Sequence, residues 1–384
     1  MSHPIVILGS GLAGISVARE LRKLDAVAPI IIVTADDGAF YSKPSLSNAL
    51  AAGKTAPQLV LTPRETLMAQ LKLEIRAHTR VTRLLPGERA IETDSGRLEY
   101  GRLVLALGAQ PIRLPIEGSG AGEIMWVNNL PDYAGFRTRL AGASLVRRVA
   151  ILGAGLIGCE FANDLRAAGI AVDVFDLAPQ PLGRLLPAQA AAFFHARLEA
   201  ADVGFHFNSS IVRVDCSKDG MVLTDTQGKN FGADLVLSAV GLRPEIDLAR
   251  AAGLKSNRGI VTDKLLATSA ADVFAVGDCL EVDGQVLPFV LPIMQQARAL
   301  AKTLAGTPTT VSYPAMPVVV KTPACPAVVC PPPAGAAGAW REEVEAAGVR
   351  ALFEDAAGKP LGFSLLGEAV KEKQALAALM PAWL

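Results

Sequence analysis

The 384-residue sequence predicts an α/β fold that contains one strand–helix–strand unit twice, followed by a smaller C-terminal domain. Three observations support this prediction. A glycine-rich turn between an apolar strand and a helix occurs at residues 9–14 and again at residues 153–158. An apolar strand that ends in glycine follows each unit, at Gly108 and at Gly241. From residue 314 onward, prolines interrupt a valine-rich stretch, which indicates a change of domain.

The first unit begins almost at the N-terminus. Residues 5–8 are an apolar strand, the turn is Gly9-Ser10-Gly11-Leu12-Ala13-Gly14, and the following helix is expected to run to about Leu24. Residues 30–33 form the second strand, which ends at Thr34-Ala35-Asp36. This order indicates a parallel βαβ unit, because the helix returns the chain to the start of a neighbouring strand.

The second unit repeats this order. Residues 149–152 are the strand, Gly153-Ala154-Gly155-Leu156-Ile157-Gly158 is the turn, and the helix is expected to end near Ala168. Residues 172–175 form the next strand, which ends at Asp176. The two turns start 144 residues apart (153 minus 9), which indicates a duplicated domain rather than a short structural repeat.

Both turns match the G-x-G-x-x-G fingerprint of dinucleotide-binding proteins. In that fingerprint the first glycine permits the turn, the second lets the pyrophosphate approach the backbone, and the third lets helix and strand pack closely. The helix N-terminus then stabilises the phosphate charge. A carboxylate follows Gly14 by 22 residues at Asp36 (36 minus 14) and follows Gly158 by 18 at Asp176 (176 minus 158). About 20 is expected for an acid that binds ribose hydroxyls, so the sequence predicts two dinucleotide sites.

Composition limits the partners and the location of the protein. The formal net charge is +0, so nothing global points to nucleic acid or to an anionic membrane. The apolar runs have the length of strands and stay far below the roughly 20 residues of a membrane-spanning helix. Five cysteines without metal-ligand spacing, and four separate histidines, predict neither a disulfide framework nor a metal site. A cytoplasmic location is the default expectation.

The last part of the chain, residues 314–384, is expected to form a small α+β domain. Residues 350–353 and 361–365 have the apolar character of strands, and a helix is expected to end the chain. Residues 331–338 are rich in proline and glycine, which predicts a surface loop.

Several segments together resemble the superfamily of flavoprotein reductases that bind two dinucleotides. They are the N-terminal fingerprint, the strand that ends at Gly108, the turn Gly241-Leu242-Arg243-Pro244, and the segment Asp272-Val273-Phe274-Ala275-Val276-Gly277-Asp278. The resemblance implies two Rossmann-like domains of the glutathione-reductase type, with FAD at the first fingerprint and NADH at the second. It also implies that Asp278 binds the ribityl chain of FAD.

In that superfamily the chain returns to the first domain after it has completed the second. The implied FAD domain is therefore discontinuous and comprises residues 1–112 and 247–313. The implied NADH domain comprises residues 113–246, and the small C-terminal domain comprises residues 314–384.

The residues after Asp176 bear on the choice of nicotinamide cofactor. Leu177-Ala178-Pro179 follows directly, so no cation is near in sequence to bind the 2′-phosphate of NADPH. The carboxylate of Asp176 would also repel that phosphate. We therefore expect NADH rather than NADPH, although a loop could bring Arg184 back to this position.

Many members of the superfamily pass electrons through reactive thiols, and the sequence argues against this route. Residues 36–60 contain no cysteine, whereas related disulfide and peroxide reductases carry theirs there. Cys159 falls inside the helix of the second fingerprint, and Cys325 and Cys330 lie in the proline-rich segment. Direct electron transfer from FAD to an external carrier is the remaining route.

Among carrier reductases, the sequence resembles the bacterial NADH:rubredoxin reductases over nearly its whole length. The motifs that carry the resemblance are Tyr41-Ser42-Lys43-Pro44, residues 156–165, Gly277-Asp278-Cys279 and residues 318–326. The resemblance implies an oxidoreductase that passes electrons from NADH through FAD to rubredoxin, a small acidic iron protein. A ferredoxin reductase of an oxygenase system stays an alternative, although Asn48 stands where those enzymes carry a lysine. A flavin redox sensor is a second alternative.

The same resemblance implies roles for individual residues. Lys43 and Glu160 are the expected catalytic residues. With Lys321 they are expected near the flavin, where a lysine–glutamate pair would hold the ring and stabilise its reduced form. Residues on the adenine side are expected at Thr34, Ala35 and Val81. The expected cofactor-binding residues are Gly9, Ser10, Gly11, Leu12, Ala13, Gly14, Thr34, Ala35, Asp36, Lys43, Val81, Gly108, Gly153, Gly155, Gly158, Glu160, Asp176, Gly277, Asp278, Val290 and Lys321.

An acidic partner requires a local basic surface on a neutral enzyme. Arg298 and Lys302 are four residues apart on a predicted helix and therefore share a face, and Lys43 is expected on the same rim. An ordinary solvated helix face explains the two cations equally well. We expect a monomer. Alkane hydroxylation and the detoxification of oxygen or nitric oxide both stay open as the pathway that the enzyme serves.

Overall fold

The computed structural model describes residues 3–142 and 146–384. Residues 1–2, at the start of the expected FAD domain, and residues 143–145, within the expected NADH domain, lie outside the described residues. The mixed α/β fold predicted from the sequence is confirmed. Two parallel sheets carry the two glycine turns, and a five-stranded antiparallel sheet lies near the end of the chain. No helix within the described residues is long and apolar enough to cross a bilayer.

The first part of the chain, residues 3–111, contains ten strands and two α-helices. They are β1 (Ile5–Leu8), α1 (Leu12–Leu24), β2 (Ile30–Val33), β3 (Phe40–Tyr41), β4 (Val60–Thr62), α2 (Arg64–Leu71), β5 (Glu74–Arg76), β6 (Val81–Leu85), β7 (Ala90–Thr93), β8 (Gly96–Glu99), β9 (Arg102–Leu105) and β10 (Ala109–Pro111). All four residues of β1 are buried, because this strand lies in the centre of a parallel sheet with helices against it.

The second part repeats this arrangement. It contains α3 (Leu130–Leu140), β11 (Arg148–Leu152), α4 (Leu156–Ala167), β12 (Ala171–Asp176), α5 (Ala188–Glu199), β13 (Val203–Phe207), β14 (Ile211–Ser217), β15 (Gly220–Asp225), β16 (Asn230–Ala233), β17 (Leu235–Ser238) and β18 (Leu242–Pro244). Its parallel sheet has the order β13-β12-β11-β17. The strands of both βαβ units and the ends of their helices agree with the sequence prediction to within one residue, whereas the helices begin inside the glycine turns, at Leu12 and Leu156.

The chain then returns to the first sheet. This part contains α6 (Asp247–Ala251), β19 (Ile260–Thr262), β20 (Val273–Ala275), β21 (Leu280–Val282) and α7 (Val290–Leu304). Strand β20 pairs in parallel with β9, so the order of the first sheet is β20-β9-β1-β2-β5. Helix α7 packs along α1. The Gly277–Asp278 segment is thereby carried next to the first glycine turn.

Each half also contains a three-stranded antiparallel sheet that the sequence did not predict. The sheets are β6-β7-β8 and β14-β15-β16. Both have a register shift, between Val81 and Arg83 in one and between Ile211 and Arg213 in the other. A bulge interrupts the alternation of apolar and polar side chains, and this alternation is the signal by which a strand is predicted from sequence.

The C-terminal part is built on a five-stranded antiparallel sheet. Its elements are β22 (Val318–Val320), β23 (Ala327–Cys330), β24 (Ala339–Glu345), β25 (Gly348–Glu354), β26 (Pro360–Gly367) and α8 (Lys373–Ala377), in the sheet order β22-β23-β26-β25-β24. The sequence predicted β25, β26 and the helix, which is short. It missed the other three strands. Residues 331–338, all of them described, form no helix or strand, as expected.

The C-terminal sheet shares a hydrophobic core with the second parallel sheet. Val329 and Val349 belong to the same buried cluster as Ile151 and Phe194. Glu342 of β24 also accepts hydrogen bonds from the backbone N–H groups of Gln189 (3.2 Å) and Ala190 (2.7 Å), at the uncapped start of α5. A carboxylate there satisfies free donors and favours the positive end of the helix dipole, so it fixes the C-terminal sheet to α5.

Candidate functional site

Both glycine turns open onto one cavity of about 1700 Å³. Its walls come from both parallel sheets, from the loop around Lys43, from the start of α7 and from residues next to β22. A pocket for one small ligand typically has about 300–1,000 Å³. The cavity therefore has room for more than one such ligand, and it joins the two predicted dinucleotide sites.

The glycines of the two turns occupy equivalent surroundings. Gly9 and Gly153 have positive φ angles of +112° and +106°, which favour glycine. A Cβ atom on Gly14 would lie 2.0 Å from the carbonyl oxygen of Gly9, and one on Gly158 would lie 1.9 Å from that of Gly153. The third glycine of each turn therefore permits the close packing of helix on strand that the fingerprint requires.

The second glycine of each turn is different. A Cβ atom on Gly11 or Gly155 would meet no atom of the chain within 4 Å. Each residue is also the N-cap of a helix without a side-chain cap, so the first N–H groups of α1 and α4 are free to face an anion. Space for a close approach and free donors coincide at both turns, as the binding of a pyrophosphate requires.

On the side of the cavity next to the first glycine turn, a hydrogen bond joins Ser10 and Thr34. The Ser10 hydroxyl donates to Thr34 Oγ1 at 3.0 Å, and both residues are buried. Ala35, Asp36 and Val81 also line the cavity here, so the structure brings the expected adenine-side residues together.

On the second turn's side, Asp176 contacts the turn itself. Its carboxylate accepts hydrogen bonds from the backbone N–H groups of Ala154 at 2.5 Å and Ala178 at 2.7 Å. Arg184 is exposed and also lines the cavity, so the loop after Asp176 brings a cation to the same cavity.

Glu160 and Lys321 form an ion pair on the wall of the cavity that the two turns share. Glu160 is 5% exposed, and its Oε2 lies 2.8 Å from Lys321 Nζ. Its Oε1 accepts the backbone N–H of Lys321 at 3.0 Å, and the Ser47 hydroxyl donates to Oε2. A buried carboxylate needs such partners. The lysine–glutamate pair expected from the sequence is therefore made by Lys321, not by Lys43.

Lys43 instead faces Asp278. Burial lowers the pKa of Lys43, and the charges of Asp278 and Asp132 oppose that shift. Burial likewise raises the pKa of Asp278, and Lys43 opposes it. Each charged form is therefore stabilised by the other, and both side chains line the cavity.

Helix α4 holds two neighbouring segments through a polar face that the sequence analysis missed. Asp164 accepts the backbone N–H groups of Leu50 (2.8 Å) and Ala51 (3.0 Å), and Asn163 accepts that of Ala324 (3.0 Å). With Glu160, which was predicted near the flavin, these residues are spaced i, i+3 and i+4 on one face of the helix. The polar stripe on this apolar helix was the available signal.

A further polar group on the cavity wall is Asn128, which sequence reasoning also missed. Its side-chain nitrogen donates to the carbonyl of Ala109 at 3.0 Å. Its oxygen is buried and accepts no hydrogen bond from any described residue. A buried acceptor without a partner at a cavity wall is free for a ligand donor.

The cysteines do not resemble a thiol relay. All five are free, and only Cys216 is exposed. Burial raises the pKa of Cys279 to about 12 and those of Cys325 and Cys330 to about 11. These thiols therefore stay protonated and poorly nucleophilic.

Most of the expected cofactor residues line the cavity. The exceptions are Gly14, Gly158 and Gly277, which pack behind it. Val290 is exposed at the start of α7, on the cavity wall. Arg298 and Lys302 are exposed on α7, whereas Lys43, which we expected on the same rim, lies partly buried beside Asp278.

Comparison with known families gives two matches. Residues 3–302 match the pyridine nucleotide-disulphide oxidoreductase family. Residues 310–380 match the family described as the rubredoxin binding C-terminal domain. The first match covers both parallel sheets, and the second covers the antiparallel sheet near the end of the chain.

Individual proteins are similar over the same length. A rubredoxin-NAD(+) reductase of Alcanivorax borkumensis is 48% identical, and 99% of each chain is covered. A rubredoxin-NAD(+) reductase of Acinetobacter baylyi is 47% identical over 99% of this chain and 98% of that one. The crystal structure of the ferredoxin reductase for the CYP199A2 system of Rhodopseudomonas palustris resembles this chain with a TM-score of 0.88 and is 26% identical in sequence. The match covers 99% of this chain and 96% of that one.

Proposed function

Since the chain belongs to the pyridine nucleotide-disulphide oxidoreductase family, we infer that it is an oxidoreductase that transfers electrons from NADH through FAD to rubredoxin. The observation that carries this conclusion is the single cavity shared by two glycine turns and a residue of the C-terminal domain, Lys321. Two full-length relatives named rubredoxin-NAD(+) reductase and the match to a rubredoxin-binding domain support the same partner.

The residues of the first turn fit FAD. The open space above Gly11, the free N–H groups of α1 and the Ser10–Thr34 pair suit a pyrophosphate and the adenosine beside it. Asn128 leaves a buried acceptor on the cavity wall. Bound FAD supplies the redox chemistry, because a flavin takes up two electrons from a nicotinamide and releases them singly.

The chain's own part in the reaction is positioning and charge. We assign Asp278 to the ribityl chain of the flavin, Lys43 and the Glu160–Lys321 pair to the ring, and the second turn with Asp176 to NADH. The rate then depends on how closely nicotinamide and flavin are held together. No thiol, metal or general base is needed for these steps.

The C-terminal domain supplies the link to the partner. Pro317, Val318, Val319 and Lys321 line the cavity, and Val319 is 50% exposed. A small redox protein bound to this domain would thus lie beside the flavin site. The exposed Arg298–Lys302 face is proposed to attract an acidic partner, which would act on the association rate.

The decisive experiment is anaerobic steady-state turnover of the purified holoenzyme with NADH. We expect rubredoxin to be reduced at least tenfold faster than a [2Fe–2S] ferredoxin. Faster reduction of ferredoxin would favour the oxygenase system, which the similarity to the ferredoxin reductase of Rhodopseudomonas palustris keeps as the second candidate. Slow reoxidation by both carriers, with a change of size on reduction, would instead indicate a redox sensor.

We also propose the domain bounds, the oligomeric state and the location of the protein. The FAD domain comprises residues 1–112 and 247–313, the NADH domain residues 113–246, and the C-terminal domain residues 314–384. The enzyme acts as a monomer. Its location is the cytoplasm, where five free thiols stay reduced.

NADH is expected to be used at least 100-fold more efficiently than NADPH, measured as the ratio of the two kcat/KM values. The carboxylate of Asp176 would repel a 2′-phosphate by on the order of 3 kcal/mol at this partly exposed position. Asp176→Asn removes this repulsion and should lower the ratio about 100-fold, and Asp36→Asn, next to the first turn's part of the cavity, should leave it unchanged. A wild-type ratio that favours NADPH, through Arg184, would contradict the assignment.

We expect the reduction of the flavin by NADH to slow at alkaline pH. The midpoint of this decrease should lie below 10.5, the ordinary pKa of lysine, because Lys43 has a lowered pKa and loses its charge there. Stopped-flow reduction measures this limb. Lys43→Arg should remove the limb, since arginine stays charged, and Lys43→Ala should slow reduction about tenfold at neutral pH. A limb that persists at the same pH in Lys43→Arg would assign it to another group.

A further inference from the structure

Two buried polar side chains hold the Gly277–Asp278 turn from behind, and the proposed electron path uses neither. Gln296 of α7 accepts the backbone N–H of Gly277 through Oε1 at 2.7 Å. Its Nε2 donates to the hydroxyl oxygen of Tyr313 at 2.9 Å. The residues are 2% and 1% exposed, so water does not compete for these bonds.

The chemistry of the groups fixes the direction of this chain of hydrogen bonds. A backbone N–H only donates, so the amide oxygen of Gln296 must face Gly277 and its nitrogen must face away. A buried amide nitrogen needs an acceptor, which Tyr313 supplies. Gln296 therefore has one orientation that satisfies both ends, and Tyr313 selects it.

The position of Gly277 affects the cofactor site on two sides. Gly277 has a φ of +81°, and a Cβ atom on it would lie 2.8 Å from the Cβ of Ala13 in the first glycine turn. The next residue, Asp278, lines the cavity opposite Lys43. A displacement of Gly277 would thus press on the turn or move Asp278.

Tyr313 is itself held in place by the end of the chain. Its backbone N–H donates to the carbonyl oxygen of Leu384 at 3.0 Å, and its carbonyl oxygen accepts the N–H of Trp383 at 2.7 Å. Trp383 and Leu384 pack against the core of the first sheet. The hydroxyl group is therefore presented to Gln296 from a fixed backbone.

We propose that Gln296 and Tyr313 are positioning residues for FAD, which act through the backbone N–H of Gly277 on the Gly277–Asp278 turn. The proposal rests on the proposed function, in which FAD occupies the first site. Loss of the Tyr313 hydroxyl leaves the Gln296 amide nitrogen buried without an acceptor. The side chain then turns away, and the turn loses its support.

The test is the FAD dissociation constant of the full-length protein, measured by flavin fluorescence on titration of the apoprotein. Tyr313→Phe should raise this constant about tenfold, the effect of one buried hydrogen bond of about 1.4 kcal/mol. Tyr100→Phe is the matched control, because Tyr100 is 1% exposed in the same core and its hydroxyl has no partner among the described residues. It should change the constant less than twofold.

A double-mutant cycle separates this role from packing. Gln296→Leu should weaken FAD binding at least as much as Tyr313→Phe, and the double variant should be no weaker than Gln296→Leu alone, because Tyr313 acts through Gln296. The absorption spectrum of the bound flavin should change in both single variants and not in Tyr100→Phe. Additive effects, or equal effects of the two tyrosine variants, would overturn the proposal. A wild-type chain that binds no FAD would overturn the proposed function itself.

Discussion

Gly155→Ala is expected to raise the KM for NADH about 100-fold while the flavin stays bound and is still reduced by dithionite. Gly155 has φ −77° and ψ −171°, which alanine adopts readily, and its Cβ would meet no atom of the chain. The added methyl group therefore harms only the approach of the pyrophosphate to the N–H groups of α4. Bonds of this charge-assisted type contribute about 1.5–3 kcal/mol each, and 100-fold corresponds to about 2.8 kcal/mol.

Two further variants make the result specific. Gly87→Ala is the control, because Gly87 also has free space around its Cβ but lies on a surface turn, and NADH kinetics should not change. Gly11→Ala is the mirror experiment, and the purified protein should lose FAD instead. A change in the KM for NADH below threefold in Gly155→Ala would contradict the assignment of the second turn.

The two parallel sheets were predictable because their signals are local. Strand β1 and, after Arg148, strand β11 are continuous apolar runs, since both faces of a central parallel strand are buried. The glycine turns were predictable for a related reason. Gly14 is required by the carbonyl of Gly9, five residues away, so a short motif contains the whole steric argument.

Other parts of the fold depend on distant partners. The three-stranded sheets contain bulges, and β22 and β23 are short strands between prolines. Strand β22 pairs with β23, which in turn pairs with the distant β26. Nothing in those segments alone distinguishes a strand from an extended loop. The sequence of these segments therefore contained too little information to predict the strands.

The residues of the site were likewise predictable from the sequence, whereas their contacts depend on the fold. Resemblance named Lys43, Glu160 and Lys321, but no pattern along the chain shows which lysine meets Glu160. Residues 160 and 321 are brought together only when the C-terminal sheet packs on α4. The supporting bonds of Asp164 and Asn163 likewise join segments far apart in sequence, so they appeared only with the fold.

Removing the charge of Glu160 and removing that of Lys321 are expected to shift the midpoint potential of the flavin in opposite directions. A reduced flavin is more negative than an oxidised one. Glu160→Gln leaves the Lys321 ammonium uncompensated, so the potential should rise. Lys321→Met leaves the carboxylate, so the potential should fall. One unit charge at this largely buried site contributes on the order of 2 kcal/mol, or roughly 40 mV for a two-electron couple.

Shifts of the flavin potential in opposite directions would distinguish an electrostatic effect from damage to packing. If either substitution merely loosened the contact between α4 and the C-terminal sheet, both would shift the potential in the same direction. The double variant should return close to the wild-type potential, because the net charge of the pair is then restored to zero. Glu342→Gln is the matched control, since Glu342 also accepts backbone N–H groups where the C-terminal sheet meets α5, yet it does not line the cavity. Spectroelectrochemical titration of the four proteins beside wild type measures this, and shifts of the same sign would remove the pair from the flavin.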